Sequence, residues 1–272
     1  MFQPLVIVLA ISVLLVVLLT AVIWLDLAAA GRRIWTDRWN ATSGNSLFLR
    51  GTELFYWAQD TAAGIVAKFL NRSPTKDTPI ELARELHEAT TCAMVPLGAV
   101  SDELDMIPCP ENGQGMIGVT APEVLEIADH IQRNLSRGDK TRIRRRAQRN
   151  LSRFAKSNSA DFDANQTPCP LQGINGICLA YPARPLRCRP FHAAESWRER
   201  GLKQSIDAEH DRDEQIVEQG AESGVTEALI SAGRDGNIYE LNSALVVALE
   251  TPNAAERWAK GEEIFADCKR CR

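Results

Sequence analysis

Between Thr167 and His192 the chain reads TPCPLQGINGICLAYPARPLRCRPFH, a stretch that no continuous helix can cross. Pro168, Pro170, Pro182, Pro185 and Pro190 each fix φ and remove a backbone donor, so the segment must be a stiff, irregular loop. Such a loop loses less entropy on closing around something than a flexible one. It also carries Cys169, Cys178 and Cys188, three of the seven cysteines in the chain. Thiolates are soft ligands suited to zinc or iron–sulfur clusters. Arg187 and Arg189 flank Cys188, where they favour its deprotonated form and would raise the potential of an anionic cluster. Cysteines are commonly small buried apolar residues, but three spread over a Pro/Arg loop do not follow the alternation of a core strand. The expectation is a metal or cluster loop.

At the other end, residues 5–25 form an unbroken apolar run, LVIVLAISVLLVVLLTAVIWL. As a helix it would be about 31 Å long, enough to span a bilayer core. A cleaved signal peptide fits less well, because the apolar stretch is too long and no Lys or Arg precedes it. Residues 1–30 are therefore expected to be a single transmembrane anchor. Arg32, Arg33 and Arg38 follow the span, which places the C-terminal part in the cytoplasm, on the inner face of the cell membrane. Thiols stay reduced in that compartment, in keeping with ligands rather than disulfides. Trp24, Trp35 and Trp39 suit an interfacial belt.

The remainder reads as mostly α. Residues 31–78 hold a juxtamembrane connection and a helix over 47–70 with Leu47, Leu54, Phe55, Trp57, Ile65, Phe69 and Leu70 as apolar members. Its aromatic content suits the membrane surface or a partner in a membrane complex, and equally packing on its own domain. NRSPTKDTP at 71–79 has the composition of a domain boundary. A helix from Pro79 to about Met94 carries His87 on its face and Cys92, read as a buried thiol. Thr120 to Glu123 is a capping box with proline in the first turn. A helix over 138–156 carries Arg142, Arg144, Arg145, Arg146 and Arg149. With no interleaved aromatic platform and a net charge of −4, nucleic acid is not the expected partner. A solvated face is the expected role, anionic lipid the alternative. Helices are expected over 193–219, 222–233, 236–250 and 253–266, the last with Asn253 and Glu256 as a cap pair. Residues 267–272 form a CxxC tail, in which Cys268 and Cys271 have metal-ligand spacing but sit at a terminus, where fraying is usual.

The loop also resembles part of a known family. CP at 169–170, GIC ending at Cys178 and YPARPLRCRPF at 181–191 are similar to the second half of the YkgJ-like cysteine-cluster domain, described as a zinc- or iron-chelating module. VTAPEVLEIADHI at 119–131 and YELNSALVVALETPNAAERWAKGEEIF at 239–265 extend the resemblance, so residues 79–266 are expected to form that domain. The family has four more cysteines before the first of these helices. Counted back from Val119 they fall on Asp105, Cys109, Asn112 and Gly113, so only Cys109 is a cysteine here. The resemblance implies Cys109, Cys169, Cys178 and Cys188 as ligands, enough for tetrahedral zinc or a cubane cluster, with iron preferred. The expected function is a membrane-anchored metal or iron–sulfur protein in electron transfer. The alternative is a structural or assembly subunit in which the metal site is structural or lost. No nucleophile–base motif points to an enzyme. Protease added at the outer side of the membrane is expected to leave the C-terminal part intact; digestion would overturn both the topology and the reduced-thiol argument.

Overall fold

The computed structural model describes residues 51–94, 117–156, 167–174, 176–189 and 204–268. The apolar run at 5–25, Cys109, His192 and Cys271 lie outside them. Among the described residues are seven α-helices and one two-stranded ribbon. None of these helices is long and apolar enough to cross a membrane.

Helix α1 (Thr52–Leu70) buries Leu54, Ala58, Ala62, Ile65, Val66 and Phe69, a stripe recurring at three- and four-residue steps. Two glycines of a second helix, the long α5 (Gln204–Ser231), lie on it. A Cβ on Gly220 would stand 2.4 Å from the Phe55 carbonyl oxygen and 3.0 Å from Ala58 Cβ. On Gly224 it would stand 2.1 Å from the Gln59 oxygen. Glycine at these two positions is what lets the backbones meet, with Ala58 opposite the first. Gln59 Nε2 closes one edge by donating to Ser223 Oγ at 3.3 Å and Glu227 Oε2 at 3.0 Å. The sequence predicts a break in this helix between 219 and 222. It runs unbroken because the roughly 1 kcal/mol helix cost of each glycine is offset by contact with α1.

Helix α2 (Thr78–Met94) packs on α1, and Lys68 Nζ reaches Glu85 Oε1 at 2.6 Å. The 71–79 segment, expected to separate domains, is a short turn between these two packed helices, inside the unit Leu49–Arg272. Thr78 Oγ1 accepts from the Thr75 N–H within it.

Strand β1 (Gly118–Val119) leads into α3 (Ala121–Asn134), which starts at the expected capping box. Ser136 caps α4 (Arg137–Lys156) by accepting from the Asp139 N–H at 3.1 Å. Ile143, Ala147 and Asn150 form the buried side of α4, which packs on α6 (Leu241–Glu250). The helix expected from 236 begins only at Leu241, because Tyr239 and Glu240 form β2, antiparallel to β1. Glu240 then caps α6, accepting from Asn242 and Ser243 N–H groups.

Helix α7 is also shorter than expected, Ala254–Ala259. Asn253 is left-handed at φ 53° and makes no side-chain cap, so the expected cap pair with Glu256 does not form. The helix ends where Gly261 adopts φ 95°, and Arg234 donates to the Trp258 and Ala259 carbonyls at 3.1 and 2.8 Å. Cys268, expected in a frayed tail, is buried, with its N–H on Phe265 O at 2.9 Å. Burial pushes its thiol pKa up against the opposing hydrogen bond from Ser243.

Gly224→Val places a branched side chain against the α1 backbone. It is expected to cost about 3 kcal/mol or more of unfolding free energy in urea titration, whereas Gly233→Ala is a control for a left-handed glycine with open space around it.

Candidate functional site

The cysteine loop begins as a small hairpin. Leu179 N–H donates to Leu171 O at 2.8 Å and Gly173 N–H to Ile177 O at 2.7 Å, with Gly176 supplying a left-handed turn residue at φ 80°. Ile174 stands 92% exposed at its tip. Two side chains of α4, one helical turn apart, hold this limb. Arg146 Nη1 donates to Cys169 O at 3.1 Å and Gln172 O at 2.6 Å. Asn150 Nδ2 donates to Pro168 O at 3.0 Å and to Asn242 Oδ1 on α6 at 2.9 Å. Arg146 was expected on a solvated face with its neighbours; burial lowers its pKa, and it grips loop carbonyls instead.

The second limb makes two short 3-10 turns, Tyr181–Ala183 and Leu186–Cys188. Arg184 lies over the Tyr181 ring at 3.9 Å. The Leu186 N–H donates to Glu123 Oε1 at 2.7 Å, while Glu123 Oε2 accepts from the Thr120 N–H and hydroxyl, each at 2.7 Å. Beside it lies His87, with Nε2 3.6 Å from Glu123 and Nδ1 2.9 Å from Glu126 Oε2. All three side chains are buried. Burial alone would raise the Glu123 pKa, but His87 and the Leu186 and Thr120 N–H groups outweigh it and hold the carboxylate below its ordinary range. Arg84 reaches Glu126 at 3.4 Å and Asp129 at 3.6 Å.

Arg187 and Arg189, expected beside a cofactor, are engaged with protein groups. Arg187 makes a two-pronged pair with Glu222 on α5, Nε at 2.6 Å and Nη2 at 2.8 Å. Its guanidinium lies over Gly118, where a Cβ would come within 3.1 Å of Cζ. Arg189 donates to Thr91 Oγ1 at 2.8 Å and Arg184 O at 3.1 Å. Burial, followed by Arg184, lowers its pKa to about 10 against the pull of Glu126, Glu123 and Cys188. Glu218, 3.8 Å from Arg187, is pushed up to about 7 by burial and by Glu222, with Arg187 opposing.

Of the expected ligands, Cys169 and Cys178 are buried and Cys188 is half-buried. Among the described residues no group of three or more His, Cys, Asp or Glu side chains is placed to hold a metal ion. These three cysteines therefore do not fit a mononuclear site by themselves, and Cys109 lies outside the described residues. Cys92, read as buried, is exposed, two residues past the last buried position of α2 at Thr90 and off its stripe. His87, read as a helix-face residue, is part of the buried network. Its place in the Ala83, Leu86, His87, Thr90 stripe was the available signal.

No family model, curated protein or solved structure matches this chain.

The Glu218 shift has a sign that can be tested. Its ordinary value is 4.5 and its folded value about 7, so over that interval the folded state holds a proton that the unfolded chain has released. Stability then falls as pH rises through the interval and levels off above it. Glu218→Gln is expected to flatten this fall and raise the thermal midpoint at pH about 8 relative to the parent. The lowered Glu123 acts at the acid end, its contribution disappearing as pH drops below the ordinary carboxylate range.

Proposed function

We propose that the protein is a structural or assembly subunit of a membrane complex, anchored by residues 1–30 with its helical domain on the cytoplasmic face of the cell membrane. The observation that carries this reading is the bracing of the cysteine loop. Its first limb is held by Arg146 and Asn150, its second by Glu123 and Glu222, all side chains of packed helices. A loop held in this way keeps its shape through protein contacts, and a proline-rich backbone needs few of them. The sequence supports the same reading, since three of the four first-half cysteines of the family pattern are Asp105, Asn112 and Gly113. On α1 the partner-facing aromatic residue is Tyr56, 57% exposed, rather than the half-buried Phe55 and Trp57.

The second reading is an iron–sulfur or zinc protein in electron transfer, favoured by two buried thiols and one half-buried thiol on a single short loop. In it Cys109, Cys169, Cys178 and Cys188 hold the metal, which when bound supplies either a structural crosslink or a one-electron couple.

Metal analysis and an absorption spectrum of the anaerobically purified chain separate the two. A colourless protein with substoichiometric iron and zinc and a thermal midpoint unmoved by chelator is expected. Under this reading Cys188→Ser costs under about 1 kcal/mol, while Arg146→Ala costs about 2 kcal/mol through orphaned loop carbonyls. A brown protein with broad absorption, or one tightly bound zinc lost as completely with Cys109→Ser as with Cys188→Ser, would overturn it in favour of the second.

A further inference from the structure

Helix α4 carries nine Lys and Arg residues and one acid, Asp139, in a chain whose net charge is −4. Several of these cations have internal work. Arg142 pairs with Asp139 at 2.6 Å, Arg144 with Glu250 at 2.7 Å, and Arg146 grips the cysteine loop. Arg137, Arg145, Arg149 and Arg153 do not. All four are exposed, and among the described residues none pairs with a carboxylate. Arg145, Arg149 and Arg153 recur at four-residue steps, each about 40° further round the helix, so they form one short row on a shared face, while Arg137 lies about 80° beyond it. At 1.5 Å per residue the row is about 12 Å long.

Unpaired arginines in such a row repel one another, which nothing in the packing of α4 requires. Ile143, Ala147 and Asn150 already form its buried side. Guanidinium forks match phosphate oxygens in pairs. The row also lacks the aromatic platforms on which nucleic-acid bases stack, and the one aromatic residue of α4, Phe154, is half-buried. A flat array of phosphates read by charge alone fits it better. We propose that Arg145, Arg149 and Arg153 form a docking surface for the anionic headgroups of the membrane leaflet beside the domain. This rests on the membrane-anchored reading above, because a tether supplies the high local lipid concentration at which a few exposed arginines suffice.

The test uses the full chain in nanodiscs of phosphatidylcholine alone or with about one third phosphatidylglycerol. Arginines are modified with phenylglyoxal and their rates read residue by residue by mass spectrometry. Arg145, Arg149 and Arg153 are expected to react several-fold more slowly in the anionic discs, and the difference should vanish near 0.5 M salt. Arg72, exposed at the end of α1, serves as the reference. Arg149→Glu combined with Arg153→Glu, both surface changes, should abolish the slowing at Arg145 while leaving the helical circular dichroism unchanged. Equal rates in the two discs, or the same slowing at Arg72, would overturn the proposal. Equal protection by single-stranded RNA in zwitterionic discs would assign the row to nucleic acid and overturn it too. Co-elution with zwitterionic discs tests the anchor separately. If the chain does not co-elute, the anchor fails, and anionic vesicles added to the same chain still decide the row by the same rates.

Discussion

The cysteine-loop half of the domain depends on one carboxylate. Glu123 sits in the first turn of α3, where a negative charge is stabilised by the helix N-terminus. It returns to the Thr120 N–H and hydroxyl, accepts the Leu186 N–H from the cysteine loop and lies beside His87 of α2. A single side chain thus starts a helix, fixes the second limb of the loop and gives a buried histidine a charged neighbour. A buried carboxylate is tolerated only with such partners, and removing it would leave buried donors orphaned. The arrangement then spreads outward, through His87 to Glu126 and Arg84.

The loop beyond Glu123 is held in the same manner, one backbone group at a time. Arg146 and Asn150 take the carbonyls of Pro168, Cys169 and Gln172, and Asn150 carries the connection on to Asn242 of α6. Glu222 holds Arg187 against the strand at Gly118. These contacts involve main-chain groups or arginines and none requires a thiol as a partner. Helix side chains thus hold the loop through its backbone and Arg187, which is the physical basis for the scaffold reading.

Much of the fold was legible because it is local. The stripe of α1, the capping box of α3 and the cation-rich α4 follow from residues a few positions apart. Features that need a distant neighbour were not legible. Gly220 and Gly224 look like a helix break until the α1 backbone is set against them. Asn253 has the composition of a cap but takes a left-handed conformation. Arg146 cannot be told from Arg145 by sequence, yet one faces the loop and the other solvent. In the loop the cysteines and arginines were readily found. Their partners, Glu222 thirty-five residues from Arg187 and Thr91 ninety-eight from Arg189, were not, because no periodicity links them.

The placement of positive charge then decides where an anion can act. The sequence sets two arginines beside Cys188, at 187 and 189, and so suggests an electropositive cluster site. In the structure Arg187 pairs with Glu222, and Arg189, half-buried, donates to Thr91. An anion arriving at either of these two would have to displace those contacts. The exposed row on α4 asks for no such displacement. Its arginines are solvated and lie on a rigid helix whose other side is packed on α6. Exposed positive charge is thus present on α4 without any ion pair having to break.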